Sequence, residues 1–532
     1  MTPILAIENL HIHLPKDADR PYAVEGVSLT VQRGEILCVV GESGSGKSVL
    51  SSAAMGALAP GLRWGLGDVR FEGKSISAMR EADRRKLRGN RIAMIFQEPM
   101  AALNPAMTVG QQVAEVLELH SPLGPEARRE RVLKLLADTH LPDPPGMAQR
   151  FPHQLSGGQC QRVVIAMALA MDPALLIADE PTTALDVTTQ AQVLRLIREL
   201  RDTHGHGILF ITHDFGVVAD IADRVAVMQR GKLVEIGPAA QVLNAPQHPY
   251  TQALIDAVPD LAPQTRPVLL DAPTVLQVDR LSKSYGGFAA LKPTSLAVQR
   301  GQTLAIVGES GSGKSTLAKT LIRLIEPSGG SISVKGSDFA ALRGGSLRKM
   351  RRSLQMIFQD PFGSLNPRRT VGTMLIRAGM LGGLTRRDAT AKASELMALV
   401  GLPQTALARR PAAFSGGQRQ RLGIARALAM GPEIIIADES VSALDVSVQK
   451  QVLALLHDLQ TRLTLTIVFI THDLRVAAEI SDWIAVMQKG VVVEYGPAAR
   501  VLTSPSHAYT RALIAAAPGR DWTPPRLPVS AS

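Results

Sequence analysis

Cysteine is nearly absent from this chain of 532 residues, and so are long apolar runs. Only Cys38 and Cys160 are present, which excludes a disulfide framework, a cysteine-rich zinc site and a four-cysteine iron–sulfur cluster within one chain. No apolar run approaches the roughly 20 residues that span a bilayer, and the first residues lack the basic and apolar regions of a signal peptide. We therefore expect a protein of a reducing compartment that does not cross a membrane.

The length of the chain exceeds what a single hydrophobic core fills, so two or more domains are expected. The net charge is +11, with basic clusters at residues 84–88 and 348–352 that could meet phosphate, anionic lipid or nucleic acid. Such clusters are more often a solvated helix face, so the charge carries little weight here.

The stretch GESGSGKS occurs twice, at residues 41–48 and 308–315. These stretches begin 267 residues apart, and later acidic and histidine motifs recur at an offset of 259, so the chain consists of two halves with one motif order. The pattern binds nucleotide phosphates because its glycines let backbone N–H groups point inward at the start of a helix. The predicted phosphate-binding residues are Gly41, Glu42, Ser43, Gly44, Ser45, Gly46, Lys47 and Ser48, with Gly308, Glu309, Ser310, Gly311, Ser312, Gly313, Lys314, Ser315 and Thr316.

Continuous apolar runs surround these loops. ILCVV and TLAIV enter them, while ALLIAD, EIIIAD, GILFI and TIVFI follow later in the two halves. Such runs are typical of parallel strands that are covered on both faces. Stretches of helical spacing, such as AQVLRLIRELRDTHG, supply the crossover helices, so the sequence predicts an α/β fold.

Two carboxylates end one such run in each half. A buried strand end does not tolerate a pair of acids without a cation or a catalytic task. The aspartate suits a Mg²⁺ shell with the hydroxyl that ends the phosphate loop, and the glutamate suits polarising an attacking water. The alternative, acids that only cap the next helix, is weaker for two copies than for one. The residues are Asp179, Glu180 and Ser48 in the first half, and Asp438, Glu439 and Ser315 in the second.

LSGGQCQR at residues 155–162 and FSGGQRQR at residues 414–421 resemble the signature motif of ATP-binding cassette (ABC) ATPases. IFQEP and IFQDP match the family's Q-loops, TALD and SALD its D-loops, and the two ITHD sequences its H-loops. All six family motifs occur twice and in family order. The resemblance implies two tandem P-loop NTPase domains of the ABC type, each with a RecA-like α/β core and a helical signature subdomain.

The resemblance also implies that each ATP is held by the phosphate loop of one half and the signature of the other. It assigns the Q-loop glutamines to Mg²⁺ and the H-loop histidines to the γ-phosphate, although a helix cap or a strand-end histidine is the simpler reading of each. ATP and Mg²⁺ are the expected cofactors, and both sites are expected to hydrolyse ATP. The residues concerned are Ser156, Gly157, Gly158, Gln159, Ser415, Gly416, Gly417 and Gln418 of the signatures, Asp186 and Asp445 of the D-loops, Gln97 and Gln359, and His213 and His472.

The two halves depart from the family pattern at different positions. Cys160 stands where the signature usually has a basic residue, and Ser440 follows the second glutamate where proline is usual. Tyr285 matches the aromatic that stacks on adenine, whereas Leu14 takes that place in the first half. Whether the two sites are equivalent therefore stays open.

Each half is followed by an extension, APQHPYTQALIDAVP at residues 245–259 and SPSHAYTRALIAAAP at residues 504–518. Both resemble the His-Pro-Tyr extension of bacterial oligopeptide, dipeptide and nickel importer ATPases. We expect domains at residues 1–245 and 274–504, an extension with a proline-rich linker at 246–273, and a second extension with a tail at 505–532. The resemblance implies two integral-membrane permease subunits and a substrate-binding protein as partners, at the cytoplasmic face of the inner membrane, with peptide, glutathione or nickel as cargo.

A tandem ABC translation factor acting on the ribosome is the alternative, and the basic charge favours it. Such proteins carry a long charged helical linker, whereas the linker here is short and proline-rich, so no nucleic acid is expected. The two halves pair with each other in the importer reading, which removes the need for a homodimer.

Four histidines stand outside these motifs. His11, His13, His204 and His206 are interpreted as ordinary loop or surface residues. A metal site is the weaker alternative, because no third ligand has suitable spacing.

Overall fold

The computed structural model describes residues 2–182, 185–263, 272–442 and 444–525, without the side chains of residues 361 and 362. The chain forms two compact units, Met1–Val258 with Pro518–Ser532, and Pro259–Ala517. Each unit holds a mixed six-stranded sheet, an antiparallel sheet and helices, so the predicted α/β fold with two tandem domains is confirmed. Part of the predicted linker and residues 183, 184 and 443 of the predicted D-loops lie outside the described residues.

The first unit contains two sheets. Its strands in the described residues are β1 (Leu5–His13), β2 (Tyr22–Val31), β3 (Ile36–Val40), β4 (Arg63–Trp64), β5 (Asp68–Phe71), β6 (Lys74–Ser75), β7 (Ile92–Ile95), β8 (Leu175–Asp179), β9 (Gly207–Ile211), β10 (Arg224–Gln229) and β11 (Lys232–Pro238). The main sheet has the order β11-β10-β3-β9-β8-β7, parallel except for β11. The second is antiparallel, with the order β2-β1-β5-β6 and β4 paired to β1.

Along the chain, helices connect the parallel strands of the main sheet, as crossover connections require. The α-helices in the described part of the first unit are α1 (Lys47–Ala54), α2 (Glu81–Leu87), α3 (Pro99–Ala102), α4 (Val109–His120), α5 (Pro125–Asp138), α6 (Pro144–Ala148), α7 (Gly157–Ala168), α8 (Val187–His204), α9 (Phe215–Ile221), α10 (Ala239–Asn244) and α11 (Pro249–Asp256). The helical stretch predicted at residues 191–205 falls on α8, which ends at Gly205 in the left-handed region with a φ of 65°.

Central strand β3 shows why the predicted runs are continuously apolar. Its side chains point alternately to the two faces of the sheet. Ile36, Cys38 and Val40 join one core cluster with the crossover helices, while Leu37 and Val39 join another with the antiparallel sheet. Because both faces are covered, every residue of β3 is buried.

The second unit repeats this arrangement. Its strands in the described residues are β12 (Thr274–Tyr285), β13 (Phe288–Gln299), β14 (Thr303–Val307), β15 (Gly329–Val334), β16 (Ser337–Asp338), β17 (Leu354–Ile357), β18 (Ile434–Asp438), β19 (Thr466–Ile470), β20 (Trp483–Gln488) and β21 (Val491–Pro497). The main sheet has the order β17-β18-β19-β14-β20-β21, with β21 antiparallel, and the other sheet has the order β13-β12-β15-β16.

The α-helices of the second unit follow the same order along the chain as those of the first. In its described residues they are α12 (Lys314–Leu321), α13 (Gly344–Ser353), α14 (Pro361–Ser364), α15 (Val371–Gly382), α16 (Arg386–Leu399), α17 (Gly416–Leu428), α18 (Val446–Leu463), α19 (Leu474–Ile480), α20 (Ala498–Thr503) and α21 (Ala508–Ala515). In the described residues, no helix of either unit has the length and apolar character needed to cross a membrane.

A helical region lies between the Q-loop and the signature of each unit. In the first unit Val113 on α4, Val132 on α5 and Val163 on α7 are buried in one core cluster. Leu375 on α15 and Leu396 on α16 pack in the same way in the second unit. The predicted helical subdomain is therefore present in both units.

The two basic clusters lie on α2 and α13, which have no buried residues. Some of their arginines nevertheless bind backbone carbonyls at the end of the helix that follows the phosphate loop. Arg88 donates from Nε to the carbonyl of Met55 over 3.0 Å, and Arg351 donates from Nε to that of Ile322 over 3.3 Å. A cation is favourable at such a helix end, so part of the basic charge has a structural use.

The last described residues of the chain belong to the first unit. The indole N–H of Trp522 donates to the side-chain oxygen of Asn244 over 3.1 Å, and the ring packs against the core. The carbonyl of Pro518 lies beside Gly216 on α9, where a Cβ would be only 2.7 Å from its oxygen. The end of the second extension thus packs on α9.

The second unit has a matching contact. Pro259, which ends the first extension, belongs to this unit, and its carbonyl accepts a hydrogen bond of 3.0 Å from Arg475 on α19. Pro259 and Pro518 occupy the same place in their extensions. Each extension therefore ends on the unit other than the one it follows in sequence.

Candidate active sites

The phosphate loops join β3 to α1 and β14 to α12. Gly41 and Gly308 both have a φ of 149°, and a Cβ at either would lie 2.2 Å from a backbone oxygen of the neighbouring strand. Gly46 and Gly313 begin the helices in the left-handed region. Only glycine fits such positions, so the predicted loop geometry has a steric cause.

A buried lysine closes each loop. Lys47 donates from Nζ to the carbonyls of Gly41, over 2.6 Å, and Glu42, over 2.9 Å. Lys314 makes the same bonds to Gly308 and Glu309, over 2.7 and 2.8 Å. The ammonium group is therefore held within a loop of the type whose backbone amides bind anions.

The hydroxyl that ends each loop contacts the aspartate at the end of a buried strand. Ser48 Oγ lies 3.3 Å from Asp179 Oδ1, and Ser315 Oγ lies 3.3 Å from Asp438 Oδ1. Burial raises the pKa of both carboxyl groups, because it penalises the charged form. A hydroxyl and a carboxylate oxygen are the ligands that Mg²⁺ prefers, so these residues fit a magnesium ion and a bound cation would offset the burial cost.

One difference separates the two pairs. Ser51 Oγ also donates to Asp179 over 3.2 Å, whereas Ala318 takes the place of this serine in the second unit. Asp179 therefore has one more protein hydrogen bond than its counterpart.

The predicted base of the first unit lies between the other two predicted side chains. Gln97 Nε2 donates to Glu180 Oε2 over 2.9 Å, and His213 Nδ1 lies 3.4 Å from Glu180 Oε1. Glu180 is in the left-handed region with a φ of 47°, held by a hydrogen bond from its amide to the carbonyl of Ile211 on β9. Such backbone strain is common at functional sites, where the surrounding structure maintains it.

The second unit repeats this group. Gln359 Nε2 donates to Glu439 Oε2 over 2.7 Å, His472 Nδ1 lies 3.8 Å from Oε1, and Glu439 has a φ of 44°. His472 lowers the pKa of Glu439, which burial alone would raise. The carboxylate is consequently ionised at neutral pH, as a group that accepts a proton from water must be.

The signature serines act as helix caps in the structure. Ser156 caps the N-terminus of α7. Its hydroxyl accepts from the amide of Gln159 over 3.3 Å, while the Gln159 side chain accepts from the amide of Ser156 over 3.0 Å. Ser415 and Gln418 form the same capping box at α17. Each cap leaves a helix N-terminus that favours an anion.

Cys160 and Arg419 occupy equivalent places in the two signatures. Arg419 is buried and donates to the carbonyls of Pro411, over 2.8 Å, and Ala412, over 3.0 Å. Cys160 offers only a thiol at 3.6 Å from the carbonyl of Pro152. The loop before the signature is therefore held less firmly in the first unit.

The two D-loop aspartates each begin a helix. At the start of α8, the Asp186 carboxylate accepts hydrogen bonds of 3.0 Å from the amide and from the hydroxyl of Thr189. Asp445 stands at the start of α18 without such a side-chain cap.

The residues expected near adenine differ in exposure. Tyr285, at the end of β12, is 46% exposed, with Lys283 Nζ 5.1 Å from its ring centre. Leu14 is partly buried against the core of the first unit. Arg20, in the loop between β1 and β2, donates to the carbonyl of Gly44 in the phosphate loop, a contact that no sequence motif predicted.

The His-Pro-Tyr extensions reach the phosphate loops. Glu235 on β11 accepts from the amide of His248 over 3.1 Å, and His248 Nδ1 accepts in turn from the amide of Tyr250 over 3.1 Å. The Tyr250 hydroxyl accepts from the amide of Glu42 over 3.2 Å. The recurrence of the His-Pro-Tyr motif indicated that it is important. The sequence did not predict its contact with the phosphate loop, because the two residues are about 200 positions apart.

The second extension makes the same connections. Glu494 on β21 accepts from the amide of His507 over 3.1 Å, and the Tyr509 hydroxyl accepts from the amide of Glu309 over 3.2 Å. Ala508 stands where the first extension has proline, and the arrangement is kept. Histidine and tyrosine are common to both extensions and make the same contacts in each.

Comparison with known proteins agrees with this geometry. The family model of ABC transporters matches residues 24–183 and 291–442, and that of the oligopeptide/dipeptide transporter C-terminal region matches residues 234–286 and 493–526. The glutathione import ATP-binding protein GsiA of Escherichia coli (strain K12) is 45% identical over 97% of this chain and 89% of its own length. The protein of the same name from Salmonella typhimurium (strain LT2) is 44% identical over 97% of this chain and 90% of its own. This chain belongs to the ABC transporter family, as an ATP-binding and ATP-hydrolysing subunit of an importer with two tandem cassettes.

Proposed function

We propose that this chain drives the uptake of a small peptide through a membrane permease, and that a glutathione-like tripeptide is the first candidate. Relatives with 45% identity over 97% of the chain are named for glutathione import. The extensions belong to a family region named for oligopeptide and dipeptide transporters. Nickel is a weaker candidate.

The partners in this proposal are two integral-membrane permease subunits and, through them, a substrate-binding protein, at the cytoplasmic face of the inner membrane. A groove of about 610 Å³ in the second unit supports a docking role. It is lined by four arginines and by apolar side chains that include Leu324, Met374 and Leu381. Leu324 and Leu381 are more than half exposed. Exposed apolar surface of this kind marks sites of protein contact.

The observation that carries the proposal is the position of the Q-loop. Phe358 lines the groove, and the next residue, Gln359, donates to Glu439 over 2.7 Å. A permease segment in the groove would thus contact a loop that also holds the hydrolytic carboxylate. This arrangement links transport to the chemistry at the γ-phosphate.

The residue roles form part of the proposal. Mg²⁺ binds the phosphate-loop serine, the strand-end aspartate and the Q-loop glutamine; the glutamate polarises the attacking water, and the H-loop histidine contacts the γ-phosphate. Tyr285 stacks on adenine, and the D-loop aspartates Asp186 and Asp445 border the nucleotide. Each ATP is shared between the phosphate loop of one cassette and the signature of the other. The domain limits 1–245, 246–273, 274–504 and 505–532 remain our proposal.

The test is affinity capture of the Glu180→Gln, Glu439→Gln double variant from detergent-solubilised cells with ATP, followed by mass spectrometry. We expect two polytopic membrane proteins, because ATP-bound cassettes that cannot hydrolyse keep the complex closed. The matched control is the Lys47→Ala, Lys314→Ala double variant, which weakens ATP binding. Recovery of ribosomes without membrane proteins would overturn the proposal in favour of a translation factor.

A second step tests the cargo. The captured permease and the wild-type chain are reconstituted in vesicles with the binding protein, and uptake of labelled glutathione, a dipeptide and Ni²⁺ is compared. ATP-dependent uptake of glutathione or the dipeptide supports the peptide assignment. Uptake of Ni²⁺ alone contradicts it without affecting the transport role.

A further inference from the structure

Asp172, His204 and His206 meet in the first unit, at the edge of the main sheet opposite the nucleotide residues. Asp172 lies between α7 and β8, and the histidines lie where α8 leads into β9. One nitrogen of each histidine and one carboxylate oxygen lie within 4.8 Å of one another. No third ligand lies near the histidines in the sequence. The parallel pairing of β8 with β9 brings Asp172, which precedes β8, close to the histidines, which precede β9.

His206 lies in the loop between α8 and β9, in agreement with the predicted loop or surface position, and its side chain is buried. Its side chain is 4% exposed, and Nδ1 faces the carbonyl of Pro173. A carbonyl only accepts hydrogen bonds, so Nδ1 carries the proton of the neutral ring and Nε2 presents a lone pair.

An acceptor lies close to Nε2 of His206. Nε2 has no hydrogen-bond partner among the described residues and lies 3.3 Å from Asp172 Oδ1. A buried polar atom is normally paired, and a cation bound to both the nitrogen and the carboxylate would satisfy Nε2. With Nδ1 already protonated, a metal cation meets this need without forcing the buried ring to become charged.

His204 completes the group. Its Nδ1 lies 3.5 Å from Asp172 Oδ1, and its ring stacks on His206 with 5.4 Å between ring centres and an angle of 12°. Metal–ligand bonds of about 2.0–2.1 Å in a tetrahedral zinc site put neighbouring ligand atoms about 3.4 Å apart. Both distances to Asp172 are close to that spacing.

The second unit shows that the fold alone does not require these side chains. Gly431, Leu463 and Leu465 stand at the equivalent positions, at the offset of 259 residues. Gly431 has a φ of 69° and Asp172 has a φ of 51°, so the first unit places an aspartate where the backbone favours glycine. The same backbone thus carries potential ligands in one unit and none in the other.

We propose that Asp172, His204 and His206 bind one divalent transition-metal ion of the Zn²⁺ class, with water in the remaining position. Two imidazoles and one carboxylate suit zinc, whereas Mg²⁺ and Ca²⁺ prefer oxygen ligands alone. The Pro173 carbonyl accepts from Nδ1 and so fixes the tautomer of His206, as backbone carbonyls beside ligating histidines do in zinc sites. The ion joins the end of the signature helix to the end of α8, and so stabilises the first unit without a part in ATP hydrolysis.

The test is Zn²⁺ binding to the tag-free full chain, without nucleotide and with excess Mg²⁺, by competition with a chromophoric chelator. We expect one zinc per chain that is absent from the Asp172→Gly, His204→Leu, His206→Leu triple variant, which carries the residues of the second unit. The single variant His206→Leu should bind zinc at least tenfold more weakly. The matched control is His11→Gln, His13→Gln, a histidine pair of the same spacing in the same unit, which should keep the zinc.

Two further measurements separate binding from folding. Co²⁺ bound to the wild type should give the intense visible bands of a tetrahedral site, and the triple variant should lack them. Zinc should raise the melting temperature of the wild type and leave that of the variant unchanged, with equal circular dichroism for both proteins. If His206 pairs with Asp172 as a protonated ring instead, wild type and variant will bind equal amounts of zinc, and the proposal is overturned.

Discussion

The hydroxyl of Tyr250 accepts a hydrogen bond of 3.2 Å from the backbone amide of Glu42, which ties the His-Pro-Tyr extension to the first phosphate loop. Tyr509 and Glu309 make the same contact at the same distance in the second unit. The amides of such loops cradle phosphate, so a bond to one of them helps to set the shape in which the others receive it. We therefore expect the extension to contribute to nucleotide binding.

We expect the Tyr250→Phe, Tyr509→Phe double variant to bind ATP about three- to tenfold more weakly. One hydrogen bond contributes about 1 kcal/mol, and its loss lets the loop move. Equilibrium binding of a fluorescent ATP analogue measures the change. Tyr495→Phe is the control, because its hydroxyl donates to the carbonyl of Ala297 and contacts neither loop. Unchanged affinity in the double variant would contradict the role of the extension.

We expect the Glu180→Gln, Glu439→Gln double variant to bind ATP while its turnover falls by about a hundredfold or more. A neutral amide keeps the bonds to the Q-loop glutamine but cannot accept a proton from water, and such groups contribute about 10²–10⁴-fold to rates. Phosphate release measures turnover. The two single variants show whether the cassettes hydrolyse equally, and full turnover in the double variant would remove the proposed base role.

Arg419→Cys, which gives the second signature the residue of the first, should destabilise the loop before α17. The buried guanidinium binds two backbone carbonyls, and leaving them unpaired costs about 1–3 kcal/mol. Hydrogen exchange over residues 409–419 should therefore become faster. Arg386→Cys on α16, at an exposed position, is the control. Equal exchange rates would mean that Arg419 has no anchoring role.

Glu494→Gln should loosen the second extension in a pH-dependent manner. Burial opposes ionisation of Glu494, but hydrogen bonds from residues just before and within α21, including the amides of Ser506 and His507, lower its pKa from 4.5 to about 2. A lowered pKa means that the ionised group stabilises the fold above pH 4.5 and that this contribution fades as the pH falls toward 2.

Hydrogen exchange over residues 508–515, compared between variant and wild type at each pH, measures this effect. The variant should exchange faster at pH 7, and the difference should shrink below about pH 4.5. Glu433→Gln is the control, since its partner Lys335 is an exposed side chain and such pairs contribute little. A difference that is constant down to pH 3 would contradict the assigned ionisation.

Sequence alone predicted the strands, the phosphate loops and the paired acids. Runs such as ILCVV could be read because every residue of β3 is buried, and a continuous apolar run then follows from the packing. The position of Glu180 at a strand end likewise follows from the run before it. The local sequence pattern was sufficient to predict those features whose structural cause lies in neighbouring residues.

Contacts between distant segments could not be read in this way. Tyr250 meets Glu42, and Asp172 meets His206, only because strands pair far along the chain. Arg88 was expected on a solvated face, yet it binds the carbonyl of Met55. A basic side chain of four rotatable bonds can reach a helix end that a one-dimensional pattern does not reveal.

The packing of Pro518 and Trp522 on the first unit has a consequence for the order in which the protein is made. Domains generally fold as they leave the ribosome, the N-terminal one first. Here Asn244 contacts Trp522 and Gly216 contacts Pro518, and both of these later residues are translated only after the second unit. The first unit therefore begins to fold early but is completed last, and a gene divided after residue 258 would encode a first unit without its final piece.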